Sequence, residues 1–278
     1  MKNRSRASAE LFALPAPPPA RLLVRGQPYE LERVFKHDFF AATALYRLQG
    51  EGGELARLVV KFGRTQSYCG LPTEWIGRLL RRREERFHRR ADGVPGIQRW
   101  HAKISDTAYA LEYVAGQTLD TLAKNPPPGA FFDSLRVTLD RLHARGVAYC
   151  DLNKRSNIVV TESGQPGLID FQISVVHNPD ALWPWEPVSY WIVRYLQRMD
   201  LYHLYKHKRR LAKAELRPEE LLLSRRPGVL TALHRRLVTP LRHLRRALLA
   251  RLHRTGRLVS PSAELEDHWQ PEKATWRK

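Results

Sequence analysis

Residues Tyr149 to Ser174 read YCDLNKRSNIVVTESGQPGLIDFQIS, and the fold turns on how this stretch is read. Asp151 and Asn157 lie in a polar segment between two apolar runs, the second being Ile158-Val159-Val160. A turn follows through Ser163, Gly164, Gln165 and Pro166, and a further apolar run, Gly167-Leu168-Ile169, stops at Asp170. Short apolar runs joined by a Gly/Pro turn predict a β-hairpin. Such a hairpin holds Asp151 and Asn157 at one end and returns Asp170 beside them. Asp and Asn also cap turns through their own side chains, and any one of the three alone reads that way. As a set they suit magnesium, which takes hard oxygen ligands and shares its shell with phosphates. A second carboxylate left off the metal can orient a hydroxyl and accept its proton.

Working outward, 278 residues at 43% hydrophobic content suffice for a buried core and one or two domains. The two cysteines, Cys69 and Cys150, lack metal-ligand spacing and form no disulfide framework, so a reducing, cytoplasmic compartment is the expectation. No apolar run approaches the roughly 18 residues that a membrane span needs. The amino terminus is basic, but its short apolar stretch breaks into prolines and makes a poor signal peptide. Against this ordinary background stands a formal net charge of +19, from 47 basic and 28 acidic residues. That charge favours polyanionic surroundings, whether anionic lipid, lipopolysaccharide, nucleic acid or nucleotide, without choosing among them.

The quoted stretch resembles the catalytic loop and the metal-binding loop of the protein-kinase superfamily, HRD-x-x-x-x-N and DFG. The resemblance implies Asp151 as catalytic base, with Asn157 and Asp170 as ligands of Mg²⁺ and ATP as phosphoryl donor. Three departures accompany it. Tyr149-Cys150 replaces His-Arg, one extra residue separates Asp151 from Asn157, and Gln172 takes the place of the DFG glycine. Losing that glycine is expected to stiffen the loop, since glycine alone visits unusual backbone angles freely.

Upstream, the pattern from Arg21 to Arg64 is β-like, and Lys61 closes the apolar run Leu58-Val59-Val60. The resemblance makes Lys61 the lysine that neutralises the α- and β-phosphates; by itself, a lysine at a strand end reads as a snorkelling surface residue. Trp75 to Arg90 is a helical, arginine-dense segment. In it Glu84 fits the carboxylate that braces the strand lysine better than Glu85 or Glu74, a solvated Arg-Glu face being the plain alternative. Ala108 to Val114 predicts a short strand leading to a hinge. There Glu112 and Val114 are expected to offer backbone groups to adenine, with Leu111 just before them. The place for a phosphate-covering loop, KHDFFAATAL, contains no glycine. Small residues, Ala41, Ala42, Thr43 and Ala44, are left there to permit a partial backbone approach. Phe131 to Arg145 carries Phe132, Leu135, Leu139 and Leu142 at helical spacing and ends at Gly146. The family's Leu-His pair recurs at Leu142-His143, where His143 reads as structural.

After Ser174 there is no APE motif and no long activation segment. An aromatic stretch, Trp183 to Tyr195, is followed by RMDLYHLYKHKRRL. This order resembles the lipopolysaccharide core sugar (Kdo and heptose) kinases, and RIO-type atypical kinases also lack a long activation segment. Asp200 suits either the helix carboxylate that braces the catalytic loop or an ordinary helix-dipole aspartate. From Leu230 to Leu252, leucines at helical period alternate with arginines, predicting an amphipathic helix kinked at Pro240. Packing on the core, lying on anionic membrane and binding nucleic acid are all open to it, the sugar-kinase resemblance placing membrane above nucleic acid.

The expectation is therefore an α+β, bilobal, protein-kinase-like fold. Residues 1–20 form a disordered tail stiffened by prolines, 21–111 a β-rich N-lobe, and 112–226 the hinge and helical C-lobe. Residues 227–258 form the basic helix and 259–278 a frayed tail. The implied activity is ATP-dependent phosphoryl transfer to an alcohol acceptor, a lipopolysaccharide core sugar first and a protein serine or threonine second. The implied location is cytoplasmic, including the inner face of the membrane. A pseudokinase scaffold is the reading of a different class, carried by the absent glycine loop and the longer catalytic loop.

Overall fold

Strands that alternate side chains between two faces need an apolar layer on each, and the central strands here have both. The computed structural model describes residues 10–50, 55–180, 182–225, 260–262 and 264–265. Its described residues form a mixed α+β structure that divides into two units. The first takes those within Met1–Arg82, Trp100–Tyr113 and Leu233–Lys278, and the second those within Arg83–Arg99 and Val114–Ala232.

The first unit is built on a six-stranded antiparallel sheet: β1 (Arg21–Val24), β2 (Gln27–His37), β3 (Ala41–Leu48), β4 (Arg57–Gly63), β5 (Trp100–Lys103) and β6 (Ala108–Glu112), in the order β1-β2-β3-β4-β6-β5. Register sets Ala44 opposite Val60 and Val60 opposite Ala110, while Leu45 faces Val59 and Val59 faces Leu111. The two sets make two separate clusters, one with Tyr29, Tyr46 and Leu58, the other with Tyr109. The near-continuous apolar reading of β4 follows from burial on both faces.

Residues 10–20 depart from the expected disordered tail. Phe12 and Ala13 are buried, the Ala13 amide donates to the Asp38 carbonyl at 2.7 Å, and Thr65 N–H donates to Ala13 O at 2.9 Å. The anchor is Arg64, fully buried, whose guanidinium donates to the carbonyls of Glu10, Phe12, Phe39 and Ser67 and to the Thr73 hydroxyl. Each of those carbonyls would otherwise need water, so one cation organises several loop segments at once. The carboxyl-terminal pieces are also tied down, through Val34 N–H to Leu265 O at 3.1 Å and Ser262 to His37 at 2.9 Å. The expected basic helix from Leu230 to Leu252 lies outside the described residues.

Helix α1 (Glu74–Ala91) is divided between the units at Arg82 and Arg83. Its start presses on the end of β4, where a Cβ on Gly77 would meet the Arg64 carbonyl at 2.4 Å; no other residue fits. In the second unit, α2 (Gly129–Ala144) buries Phe131, Phe132, Leu135, Leu139 and Leu142, the stripe its spacing predicts. It ends at Gly146, whose φ of +70° suits a residue without a Cβ. Next come β8 (Val147–Ala148), the segment Tyr149–Asn157, then β9 (Ile158–Thr161) and β10 (Pro166–Leu168). The last two form the expected hairpin, with Leu168 opposite Ile158, and β7 (Gly116–Thr118) pairs on the other side of β9. Strand β11 (Val175–Val176) pairs with β8, and the long helix α3 (Trp185–Leu211) and short α4 (Pro218–Leu223) complete the unit. Lys208 ties three helices together inside it, 2.8 Å from Asp133 of α2 and 2.9 Å from Glu220 of α4. No described helix is long and apolar enough to cross a membrane.

Candidate active site

The segment Tyr149–Asn157 is short of secondary-structure bonds of its own, so its backbone must find partners elsewhere. Helix α3 supplies them from one buried stripe, Val193, Gln197, Asp200, Leu204 and His207, at helical spacing. Asp200, fully buried, accepts from Tyr149 N–H and from Cys150 N–H, each at 2.8 Å, and its Oδ2 lies 3.1 Å from His143 Nε2. Gln197 donates to the carbonyls of His143 and Val147 at 3.0 and 3.2 Å. Two turns beyond Asp200, His207 Nε2 meets the Leu152 carbonyl at 2.8 Å, and Lys206 reaches the Asn153 side chain. A carbonyl accepts only, so His207 carries its proton on Nε2. Of the two readings open for Asp200, the geometry is that of the brace.

Held this way, Asp151 is nearly buried, and its Oδ2 accepts from Lys154 Nζ at 2.7 Å and Asn157 Nδ2 at 2.8 Å. Burial raises the Asp151 carboxyl above its ordinary range, against the pull of Lys154, and the charge of Asp170 pushes the same way as burial. Asp170 is brought back by the hairpin, for Ile169 N–H donates to Asn157 O at 3.1 Å. The site is thus three close polar residues, Asp151, Lys154 and Asn157, with a further carboxylate near enough to be felt. Lys154 was not singled out from the sequence; a cation three residues after a loop aspartate is the signal that points to it. Gln197 and His207 were legible only as members of the Asp200 stripe.

Beneath the site, Phe171 stacks on Phe87 at 4.1 Å and meets Tyr149 edge-on at 5.4 Å, so the residue after Asp170 is pinned in the core. Tyr149 donates its hydroxyl to Ile169 O at 2.5 Å, and Ser174 donates to Tyr149 O at 3.0 Å. Full burial, then the charges of Asp170, Asp151 and Asp200, holds the Tyr149 phenol protonated, well above its ordinary range. Positive φ falls on Cys150, at 70°, and on Asp170, at 61°, rather than on Gln172. Backbone strain therefore sits at Cys150, next to Asp151, and at Asp170, while Gln172 takes no left-handed backbone. Burial pushes the Cys150 thiol up to about 12, which removes it as a nucleophile at neutral pH.

The other expected residues stand as follows. Lys61 is 4% exposed and lies opposite Thr43 and Tyr109, on the face of Leu45, Val59 and Leu111. It is no snorkelling surface lysine. On α1, Glu84 is fully buried with His88 4.0 Å away, whereas Glu85 pairs with Arg89 and Glu74 with Arg78 at the surface. Glu84 is the carboxylate that leaves the solvated face. Glu112 ends β6 opposite Leu58, and the chain passes into the second unit between Tyr113 and Val114. The glycine-free segment is no open loop. Asp38 closes a tight turn, its Oδ1 accepting from Phe40 N–H and Ala41 N–H, and Ala41, Ala42, Thr43 and Ala44 already belong to β3, Ala41 paired with Gly63 and the other three paired on both sides. The partial backbone approach allowed for these four residues is corrected by that pairing, which occupies their ladder groups.

A donor set of one carboxylate and one amide oxygen suits a cation that shares its shell with phosphate oxygens and water. Among the described residues, no group of three or more His, Cys, Asp or Glu is placed to hold a metal by protein ligands alone.

No protein-family model matches the chain. It is 38% identical over 74 residues to the serine/threonine-protein kinase OXI1 of Arabidopsis thaliana. That match takes in 24% of this chain and only 17% of the plant protein. The finding is a similarity to a protein kinase over a short segment.

Proposed function

We propose that the protein is an ATP-dependent phosphotransferase with an alcohol acceptor, its two units corresponding to the lobes of a protein-kinase-like fold. The observation that carries this reading is the Asp200 carboxylate fixing Tyr149 and Cys150 by their amides, which delivers Asp151 with Lys154 and Asn157 bonded to one of its oxygens. The short similarity to a kinase supports it independently.

In this reading Asp151 orients the acceptor hydroxyl through its second oxygen and takes the proton as the bond to phosphorus forms. Lys154 keeps that carboxylate ionised in spite of burial and stands ready to donate to a transferring phosphoryl oxygen. The Nδ2 bond of Asn157 to Asp151 commits the amide nitrogen, so its Oδ1 is the atom that would join Asp170 in holding Mg²⁺. Mg²⁺ held there would neutralise phosphate charge. The resemblance assigns Lys61 to the α- and β-phosphates with Glu84 as its brace, and Glu112 and Val114 to adenine. The acceptor we place first is a lipopolysaccharide core sugar, ahead of a protein serine or threonine.

Calorimetry of ATP binding with and without Mg²⁺, on wild type and Asp170→Ala, tests the reading. Mg²⁺-dependent binding that the substitution abolishes supports it, as does transfer lost in Asp151→Asn with nucleotide binding kept. Equal turnover in Asp151→Asn overturns the assignment. A scaffold that binds without turnover is the second reading, favoured by the closed, glycine-free Asp38 turn. It requires that Asp151→Asn leave the cellular phenotype intact.

A further inference from the structure

The first three turns of α3 bury little. Trp185, Val188, Trp191 and Ile192 are 67%, 44%, 69% and 50% exposed, and Leu182 and Trp183 in the turn before them are 83% and 84% exposed. On a helix of about 3.6 residues per turn, 185, 188, 191 and 192 share one arc of about 120°, roughly opposite the buried stripe of Val193, Gln197 and Asp200. This is an amphipathic helix with its apolar side outward. Scattered exposed apolar residues are ordinary, but a continuous group of this size marks a surface that something covers.

The chemistry of the patch selects the occupant. Three of its six large side chains are indoles, whose flat apolar body and N–H tip suit the level of lipid headgroups. Arg194 and Arg198, both exposed, border the same arc and can reach phosphate oxygens. The nearby carboxylate Glu186 is turned to His177, 3.3 Å away, and Asp180 stands before Leu182. A second copy of the chain is disfavoured by charge, since two molecules of +19 would meet. An anionic bilayer is favoured by that same charge.

We propose that the turn Leu182–Pro184 and the outer face of Trp185–Tyr195 dock on the headgroup region of an anionic lipid bilayer, the indoles inserted and Arg194 and Arg198 on lipid phosphates. The proposal stands whether or not the protein transfers phosphate.

The test is cosedimentation of the full chain with vesicles of phosphatidylcholine containing phosphatidylglycerol, and of phosphatidylcholine alone. The expected result is binding to the anionic vesicles that falls about tenfold or more in Trp183→Ser/Trp191→Ser and several-fold in Arg194→Gln/Arg198→Gln. Both side-chain pairs are exposed, so thermal melts of the variants should match wild type. Brominated lipid should quench a share of wild-type emission that the double tryptophan variant lacks. Undiminished binding by that variant overturns the proposal, because contact is then made elsewhere on a basic chain. Sedimentation equilibrium that finds a dimer abolished by the same substitutions overturns it too, assigning the patch to a second copy.

Discussion

The two halves of α3 invert the usual rule for what a helix buries. Up to Ile192 it leaves tryptophan, valine and isoleucine exposed; from Val193 to Lys208 it encloses Gln197, Asp200, His207 and Lys208. Polarity alone does not account for the difference. In the second half the buried polar groups reach groups outside the helix: two amides of the Tyr149–Asn157 segment for Asp200, two carbonyls for Gln197, one carbonyl for His207, two carboxylates for Lys208. The first half instead sends Ser189 and Glu186 to the side chain of His177, and its apolar side chains stay outside. Burial along this helix follows hydrogen-bond demand, and the residues that carry the candidate chemistry are positioned by that demand.

If so, the polar half is where the molecule breaks. Asp200→Ala strands the buried amides of Tyr149 and Cys150, at about 1–3 kcal/mol for each unsatisfied group. Urea denaturation should show a loss of this order for each amide, and phosphotransfer should fall below detection because the Asp151 loop loses its seat. Asp200→Asn keeps one acceptor oxygen and should lose less. A folded Asp200→Ala protein of wild-type stability would dissolve the comparison.

Lys208→Met comes next. It leaves Glu220 buried without its cation, at about 3–5 kcal/mol for a broken buried pair. Adding Glu220→Gln should recover part of that loss, since the stranded charge is then gone; denaturation of single and double variants reads the difference.

Much of this frame is legible in the sequence, and the reason differs by residue. The hairpin from Ile158 to Leu168 is written in local chemistry, apolar runs with a Ser-Gly-Gln-Pro turn, and it forms as read. The α2 stripe is equally local. The anchoring of residues 10–20 is not, because the proline-rich segment is held by Arg64 about fifty positions away, and a lone arginine gives no hint of five acceptors. The Asp38 turn departs from its sequence for another reason: Ala41 to Ala44 look permissive as loop residues, yet pairing with β4, and from Ala42 onward with β2 as well, claims them for β3. At the site, Asp151, Asn157 and Asp170 were visible as a motif, whereas Lys154 required knowing which way its side chain turns.

His207 offers a titration of the same brace. Burial first, and the charges of Lys206, Arg155 and Arg210 after it, lower its pKa to about 4 from an ordinary 6.5. The unfolded chain takes its proton near 6.5 while the folded chain resists until about 4. This residue's contribution is therefore present above pH 6.5 and is lost as the pH falls through 4. Unfolding midpoints measured at neutral pH and near pH 5 should diverge more in wild type than in His207→Gln, which keeps a donor for Leu152 O but does not titrate; His203, held down to about 3 by burial, contributes to the divergence in both. Lys154→Met probes the site with a smaller expected effect. Removing the cation that opposes burial raises the Asp151 pKa further. Since the ionised form is the one that accepts a proton, the acid limb of activity should move to higher pH while the alkaline side stays put.

The smallest expected effect is the sharpest test of the contrast. Trp191 is a large apolar residue on a helix, the type whose truncation in a core costs several kcal/mol. Here it is 69% exposed, and the ring contact it makes is an edge-on one with Tyr190 at 5.9 Å. Trp191→Ala should change stability by about 0.5 kcal/mol or less, in the range of ordinary surface substitutions. A loss of 2 kcal/mol or more on the same scale would mean that the outer face of α3 is packed against part of this chain in solution, and that hydrogen-bond demand is not what separates its two halves. The measurement thus bears on both ends of the helix, although it alters only one.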